Sequence, residues 1–420
     1  MLEQIEGSKA IAHTVARCHP QVVSAYPISP QTHIVEEISR MVKAGELQNC
    51  EYVNVESEFG AMSACIGASA GGARTYTATA SQGLLFMVEA VYNASGLQLP
   101  IVMTVANRAI GAPINIWNDQ SDTMSQRDSG WLQLYARDNQ EAADLHVQAF
   151  RIAEELSMPV MVCMDGYILT HAVEQVDVPE EEQIARFLPP FEPRQVLDPT
   201  QPESIGSMVG PEAFLEVKYL QHMQTVEAQK LIPQVQQEFK EIFGRDSGGF
   251  LHTYRTEDAQ TIILCMGSVT GTVSDAVDGL RARGEKVGVV SLTAFRPFPY
   301  EAVYDALKGA KTVVVLEKTL SYGNGGVVTF YIERALRKTD IKILTLIAGL
   351  GGRPITEASL DAYYEDVKDG KAEDLTFLDL NKELVDRELE REANERRSGS
   401  MAAHVAADAM TLSMKEGSHA

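Results

Sequence analysis

Three places in this 420-residue chain set reactive side chains where a strand-like run ends. The first is Tyr26-Pro27-Ile28-Ser29-Pro30, after the apolar run Val22-Val23-Ser24-Ala25. Serine followed by proline reads as a helix cap with proline at the first helical position, so the Ser29 hydroxyl is expected beside free backbone N–H groups. Such a terminus welcomes a small anion such as a carboxylate, although a cap with no further role fits the same residues. The second place is Val55-Glu56-Ser57-Glu58-Phe59-Gly60-Ala61, two carboxylates before a helix of small residues. A small-residue face lets a backbone or a flat ligand approach closely, but a glutamate there can equally serve only the helix dipole. The third is Asn107-Arg108, directly after Ile101-Val102-Met103-Thr104-Val105. An arginine at that point can hold a carboxylate through two parallel hydrogen bonds, as a lysine cannot; a structural ion pair is the ordinary alternative. Each place suits a small acid, and the irregular stretch Ala112-Pro113-Ile114-Asn115-Ile116-Trp117-Asn118-Asp119 is expected to cover them as a lid.

These residues need an open parallel sheet to converge, because ligands of such sheets bind beyond the carboxyl ends of the strands. The pattern predicts one. Helices are expected over 7–18, 30–42, 59–70, 84–94 and 140–156, alternating with strands near 22–25, 52–55, 74–79, 101–105 and 160–164. Strands joined by helices of this length predict parallel βαβ units covered on both faces. Residues 107–130 read as irregular. Residues 178–212, rich in proline, read as an extended wrapping segment, followed by a long polar helix over 213–243. A second α/β unit follows, with strands at 261–265, 286–292, 311–316 and 341–346, a close-packing glycine turn at 267–271 and a helix over 273–283. The expected domains are 1–250, 251–370 and a charged helical tail, 371–420, with a solvated or partner-facing helix over 383–397.

Composition excludes several functions. Lys plus Arg number 36 against 58 Asp plus Glu, a net charge of −22, so phosphate backbones and anionic lipid are poor partners. No apolar run approaches the 18 or so residues of a membrane span, and the acidic start Met1-Leu2-Glu3-Gln4 does not read as a secretory signal. A cytoplasmic protein is expected. Cys18, Cys50, Cys65, Cys163 and Cys265 are scattered, which suits reduced buried thiols and argues against an iron–sulfur cluster or structural zinc on this chain. Neither a G-x-x-x-x-G-K-[ST] loop nor a G-x-G-x-x-G helix start occurs, so nucleotide-driven phosphoryl transfer is not expected.

Several separated motifs resemble the alpha subunit of the 2-oxoacid:ferredoxin (acceptor) oxidoreductases, of pyruvate, 2-oxoisovalerate or phenylglyoxylate type. They are Tyr26-Pro27-Ile28-Ser29-Pro30, Val55-Glu56-Ser57-Glu58, Thr77-Ala78-Thr79-Ala80-Ser81-Gln82-Gly83 and Ser125-Gln126-Arg127-Asp128-Ser129-Gly130-Trp131. Phe295-Arg296-Pro297-Phe298-Pro299 and Gly349-Leu350-Gly351-Gly352 complete the set. The resemblance covers about residues 5–360 and leaves the tail outside. It implies a pyrimidine-type, doubly wound thiamine-diphosphate-binding domain followed by an α/β domain like the carboxy-terminal domain of transketolase. It implies that Glu58 hydrogen-bonds the aminopyrimidine of the cofactor and favours the tautomer that activates it. Pro27 is implied beside the cofactor, and Ser29 and Arg108 at the substrate's carbonyl and carboxylate. Threonine is common where this chain has Ser29; the hydroxyl is kept and a methyl lost. The family's diphosphate motif, Gly-Asp-Gly, is absent here, which implies a beta subunit carrying that half-site and its Mg2+.

The resemblance further implies gamma- and delta-type subunits bearing [4Fe-4S] clusters, and ferredoxin or an NAD-reducing subunit as acceptor. The implied reaction is the coenzyme A-dependent oxidative decarboxylation of a 2-oxoacid to acyl-CoA and CO2. The 112–117 stretch looks more like versions that take bulky oxoacids, such as phenylglyoxylate or 2-oxoisovalerate, than like the pyruvate versions. Two alternatives stand beside this reading: a non-redox thiamine diphosphate enzyme of transketolase type, and a non-catalytic assembly subunit.

Overall fold

The computed structural model describes residues 2–394 and 399–417. The chain opens with β1 (Leu2–Glu6), α1 (Gly7–Arg17), β2 (Val22–Ala25), α2 (Thr32–Lys43) and β3 (Glu51–Asn54). It continues through α3 (Glu58–Ala70), β4 (Thr75–Thr79), the paired helices α4 (Ser81–Phe86) and α5 (Val88–Gly96), and β5 (Ile101–Asn107). A short helix α6 (Ser121–Ser125), β6 (Leu132–Tyr135), α7 (Asn139–Leu156) and β7 (Val160–Asp165) follow. Then come β8 (Val173–Asp177), α8 (Glu181–Phe187) and the long α9 (Phe214–Phe243).

The second half runs β9 (Leu251–Tyr254), β10 (Thr261–Cys265), α10 (Val269–Ala282), β11 (Val287–Leu292) and β12 (Ala294–Arg296). It goes on with α11 (Tyr300–Leu307), β13 (Thr312–Glu317), α12 (Val328–Leu336), β14 (Lys342–Ile347), α13 (Glu357–Lys368) and β15 (Leu375–Phe377). Two helices, α14 (Lys382–Asn394) and α15 (Met401–Gly417), end the described chain.

The first sheet has the order β12-β6-β7-β5-β4-β2-β3 and the second β15-β14-β13-β10-β11-β9. Both are parallel apart from one edge strand each, β12 and β9. Strand β5 shows why such strands read as apolar runs. Ile101, Met103 and Val105 enter one core while Val102 enters another, so both faces are covered. Helices α1, α2, α7 and the second half of α9 cover one face of the first sheet. The core on its other face is continuous with that of the second sheet: Met62, Met103 and Trp131 join Leu264, Val290 and Phe295. Strand β12 adds to this union. It leaves the second unit and pairs antiparallel with β6, Ala294 opposite Leu134, closing an edge of the first sheet.

The sequence expectations hold for most of the alternating elements and fail in identifiable places. The helix expected from residue 30 starts at Thr32, with Gln31 at its cap. One helix expected over 84–94 is two, α4 and α5, meeting at Met87. The stretch 107–130 contains α6, and β1, β6, β8, β9 and β12 were not anticipated. These strands are short, and four of them pair antiparallel at an edge or in the separate β1–β8 ribbon, where no continuous apolar run is required. Part of the expected tail joins the second sheet, since β15 pairs with β14. The wrapping segment carries α8 and is tied back by the Leu197 N–H to the Ala70 carbonyl. Of the helix expected over 383–397, residues 395–397 lie outside the described residues. All five cysteines are free and buried.

Behind β5, His146 is fully buried with Nδ1 2.6 Å from the Ala142 carbonyl and Nε2 2.5 Å from the Thr104 hydroxyl. The carbonyl can only accept, so Nδ1 carries the proton and Nε2 accepts from Thr104. Burial pushes the imidazole down from 6.5 to about 4, against the pull of the Ala142 carbonyl. The unfolded chain therefore takes up a proton between those values that the folded chain does not. The resulting stability is complete above pH 6.5 and is lost as pH falls toward 4, by about 3 kcal/mol in all. Between pH 7 and pH 5 the urea midpoint of the chain is expected to fall relative to that of His146→Gln, whereas other groups such as Asp122 act alike in both; a constant difference between the two would take the imidazole out of the pH dependence.

Candidate active site

Strand order places the three chemical loops side by side. Neighbouring strands β5, β4, β2 and β3 deliver Arg108, Ser81, Tyr26–Pro30 and Glu58 beyond their carboxyl ends. From β2 the chain passes outward to β3, then crosses back to β4 and β5. The switch point thus lies between β2 and β4, where open sheets hold ligands.

One buried carboxylate fastens the loops around that point. Asp122, on α6, has no exposure. Its Oδ2 accepts from the backbone N–H groups of Ser81 and Arg108, both at 3.0 Å. Its Oδ1 accepts from the Asn107 side chain and the Thr123 N–H, both at 2.8 Å. Burial pushes the Asp122 carboxyl up to about 7 while these donors pull it down. Ser81 has a left-handed backbone, φ +48°, and its hydroxyl donates to the Ala109 carbonyl at 2.5 Å. A buried serine held in that region is sustained by its surroundings, as residues of functional loops often are.

Arg108 is 6% exposed and forms no ion pair among the described residues. Its Nη1 donates to the Ser29 carbonyl at 2.8 Å and its Nε to the Asn115 carbonyl at 3.1 Å. The Nη2 group donates to no protein acceptor there. Two fixed bonds thus set the plane of the guanidinium and leave an edge for a ligand. The structure brings Arg108 to Ser29 in this way, but through the serine's backbone. The Ser29 side chain is exposed, as is Pro27. The expectation that Ser29 caps α2 is corrected, because the helix begins at Thr32 and Gln31 stands at its cap.

Glu58 lies one strand further, at the first position of α3. Ser57 caps that helix by accepting the Gly60 N–H at 3.1 Å. Glu56 is exposed whereas Glu58 is 7% exposed, so burial separates two carboxylates that sequence alone left adjacent. The Glu58 carboxylate accepts no hydrogen bond among the described residues. It rests on Gly83 of α4, where a Cβ would come 2.7 Å from its Oε1 and 2.6 Å from the Thr79 hydroxyl. A mostly buried carboxylate that no described protein donor holds, over a glycine cradle, is a place prepared for a flat donor.

Sequence reasoning missed Asp122, Gly83 and Asn115. Gly83 sat inside a motif noted only for resemblance. Asp122 and Asn115 fall in the irregular 107–130 stretch, where no periodicity singles out a residue. Asp122→Asn keeps the shape but sets an NH2 against two N–H donors, an expected loss of about 1–3 kcal/mol. Hydrogen exchange at the Ser81 and Arg108 amides is expected to quicken with it; unchanged protection at both would remove Asp122 as the clamp.

Comparison with known proteins shows the family to which the chain belongs. Residues 13–237 match the family model described as pyruvate flavodoxin/ferredoxin oxidoreductase, thiamine diphosphate-binding, and residues 259–360 match pyruvate:ferredoxin oxidoreductase core domain II. The chain is 48% identical over 393 residues to the pyruvate synthase subunit PorA of Methanosarcina barkeri, covering 91% of this chain and 97% of that one. Among solved structures it resembles a 2-oxoglutarate:ferredoxin oxidoreductase from Magnetococcus marinus (TM-score 0.66, 18% identity, 87% of this chain and 65% of that one). It also resembles a split-gene transketolase (TM-score 0.52, 14% identity, 88% and 99%). At these identities the two structures speak for the fold alone: a doubly wound α/β domain followed by a second α/β domain. By the sequence matches, the chain belongs to the 2-oxoacid:ferredoxin oxidoreductase family, as an alpha subunit carrying its thiamine diphosphate-binding domain.

Proposed function

We propose that this chain supplies the pyrimidine half of the site in a coenzyme A-dependent oxidative decarboxylation of a 2-oxoacid, pyruvate foremost. One observation carries the reading: the unpartnered, buried Glu58 carboxylate over Gly83, one strand from the Ser29–Arg108 pair at the switch point. Thiamine diphosphate, when bound, supplies the carbon nucleophile and electron sink that let a 2-oxoacid lose carbon dioxide. Glu58 would accept a hydrogen bond from its aminopyrimidine, with Pro27 beside the ring. The free edge of Arg108 would take the oxoacid carboxylate, and the Ser29 hydroxyl its carbonyl region. Pyruvate is favoured by the 48% identity to a pyruvate synthase subunit over nearly the whole chain, while the apolar lid residues Ile114, Ile116 and Trp117 keep bulkier oxoacids as the second choice.

The diphosphate half and its Mg2+ would come from a beta subunit. The segments that carry the site also carry exposed apolar side chains, Tyr26, Phe59, Phe86 and Tyr92 among them, as a surface awaiting a partner does. Gamma- and delta-type subunits with [4Fe-4S] clusters would take the electrons to ferredoxin, or to NAD through a further subunit. No described helix is long and apolar enough to cross a membrane, which suits a cytoplasmic complex.

The complex tagged on this chain, purified without oxygen, is to be assayed with coenzyme A, a viologen dye and a panel of 2-oxoacids. Dye reduction with one of them is expected, pyruvate first. In that complex Glu58→Gln is expected to abolish turnover with assembly intact; near-normal turnover would favour an assembly role. Arg108→Lys is expected mainly to raise the KM for the oxoacid, since an ammonium cannot hold two backbone carbonyls and a carboxylate edge together. Product formation without electron transfer to the dye would favour the transketolase-type alternative.

A further inference from the structure

The lid between β5 and α6 is held less by its own sheet than by the second domain. Gln120 donates its backbone N–H to the Lys318 carbonyl at 2.7 Å and its side-chain amide to the Met266 carbonyl at 3.1 Å. Asp119 Oδ2 accepts the Gly351 N–H at 3.1 Å, and the Asn115 side chain donates to the Gly351 carbonyl at 3.1 Å. Lys318, Met266 and Gly351 lie beyond the carboxyl ends of β13, β10 and β14. Three strands of the second sheet therefore grip one loop of the first.

Glycine makes the grip close. Gly351 and Gly352 both have left-handed backbones, φ +58° and +81°. A Cβ on Gly351 would lie 2.6 Å from the Asn115 amide nitrogen, and one on Gly352 would collide with Trp117. Asn115 stands in the middle. Its Oδ1 accepts the Trp117 N–H at 2.8 Å, its Nδ2 reaches Gly351, and its own carbonyl receives Arg108 Nε at 3.1 Å. The only other side-chain anchor of Arg108 among the described residues is the Ser29 carbonyl. The orientation of the guanidinium thus depends on where the Asn115 peptide sits, and Gly351 decides that.

We propose that Asn115 is a positioning residue through which the Gly349–Gly352 loop of the second domain aims Arg108 at the 2-oxoacid carboxylate. The proposal rests on the reading of Arg108 as the carboxylate ligand. A guanidinium fork works only when its plane is set, and a misplacement of about 1 Å can cost on the order of a hundredfold in an otherwise intact site. Domain fastening by itself would predict something different: lost stability or assembly, with no selective effect on oxoacid binding.

The test uses the assembled enzyme with Asn115→Ala, Asn115→Asp and Gly351→Ala, each alone and combined with Arg108→Lys. Asn115→Asp keeps the acceptor for Trp117 and loses the donor to Gly351, so it serves where the alanine variant does not assemble. Each single variant is expected to raise the oxoacid KM about ten- to a hundredfold, with a much smaller change in kcat and none in the KM for coenzyme A. In the Arg108→Lys background these variants are expected to add little, because residues acting through one another are not additive. If Arg108→Lys leaves the oxoacid KM unchanged, the carboxylate reading itself falls. If Arg108→Lys raises it but the Asn115 and Gly351 variants do not, or if the effects multiply in the double variants, the positioning role is overturned.

Discussion

Irregular backbone inside a protein carries N–H groups that no ladder satisfies, and each one left unpaired there is costly. The loops after β4 and β5 are of this kind. Asp122 supplies the missing acceptors, one oxygen taking the Ser81 and Arg108 amides and the other the Asn107 and Thr123 donors. A short charged side chain thereby does what a strand partner does elsewhere in the sheet. The left-handed turn at Ser81, the start of α4 with its Gly83 cradle, and the direction of Arg108 all depend on it. The local consequence is rigidity at the switch point, where a catalytic constellation needs it most.

The same economy joins the two α/β units. Lys318, just beyond β13, meets Asp165 at the end of β7, Nζ to Oδ2 2.9 Å, with both side chains nearly without exposure. The Ser268 N–H adds a donor to Oδ2 at 2.9 Å. Burial opposes ionisation of Asp165, but the ammonium and the serine donors outweigh it and hold the carboxyl below the usual carboxylate range. The Gly267 turn makes room, since a Cβ there would sit 3.0 Å from that carboxylate. Removing one partner of such a pair strands the other charge, typically at a cost of about 3–5 kcal/mol. With a core shared between the sheets and β12 crossing from one to the other, the second domain is part of the scaffold of the site.

The chain leaves one side of this site open. Glu58 has no partner among the described residues, the Ser29 hydroxyl and Pro27 are open to solvent, and aromatic side chains on the same segments are exposed. The net charge of −22 opposes association with an acidic polymer or an anionic lipid face.

The residue sequence by itself determined the parallel α/β layout, since short β-prone runs at Val22–Ala25, Thr75–Thr79, Ile101–Asn107 and Val160–Asp165, most of them apolar, alternate with helix-length segments. It also put Ser29, Glu58 and Arg108 beyond strand ends, because that follows from strand position and residue type. Periodicity is a property of neighbours along the chain, so it reveals such features and no others. The cap predicted at Ser29 failed for the same reason: α2 begins at Thr32, and periodicity does not tell residue 32 from residue 30 as a helix start. Which glutamate is buried, which acceptor gathers the amides of the loops after β4 and β5, and which glycine touches Asn115 are matters of contact between residues 14 to more than 200 positions apart. Only the tertiary structure decided them, because burial and hydrogen-bond partnership are set by where elements pack and not by the order in which their residues occur.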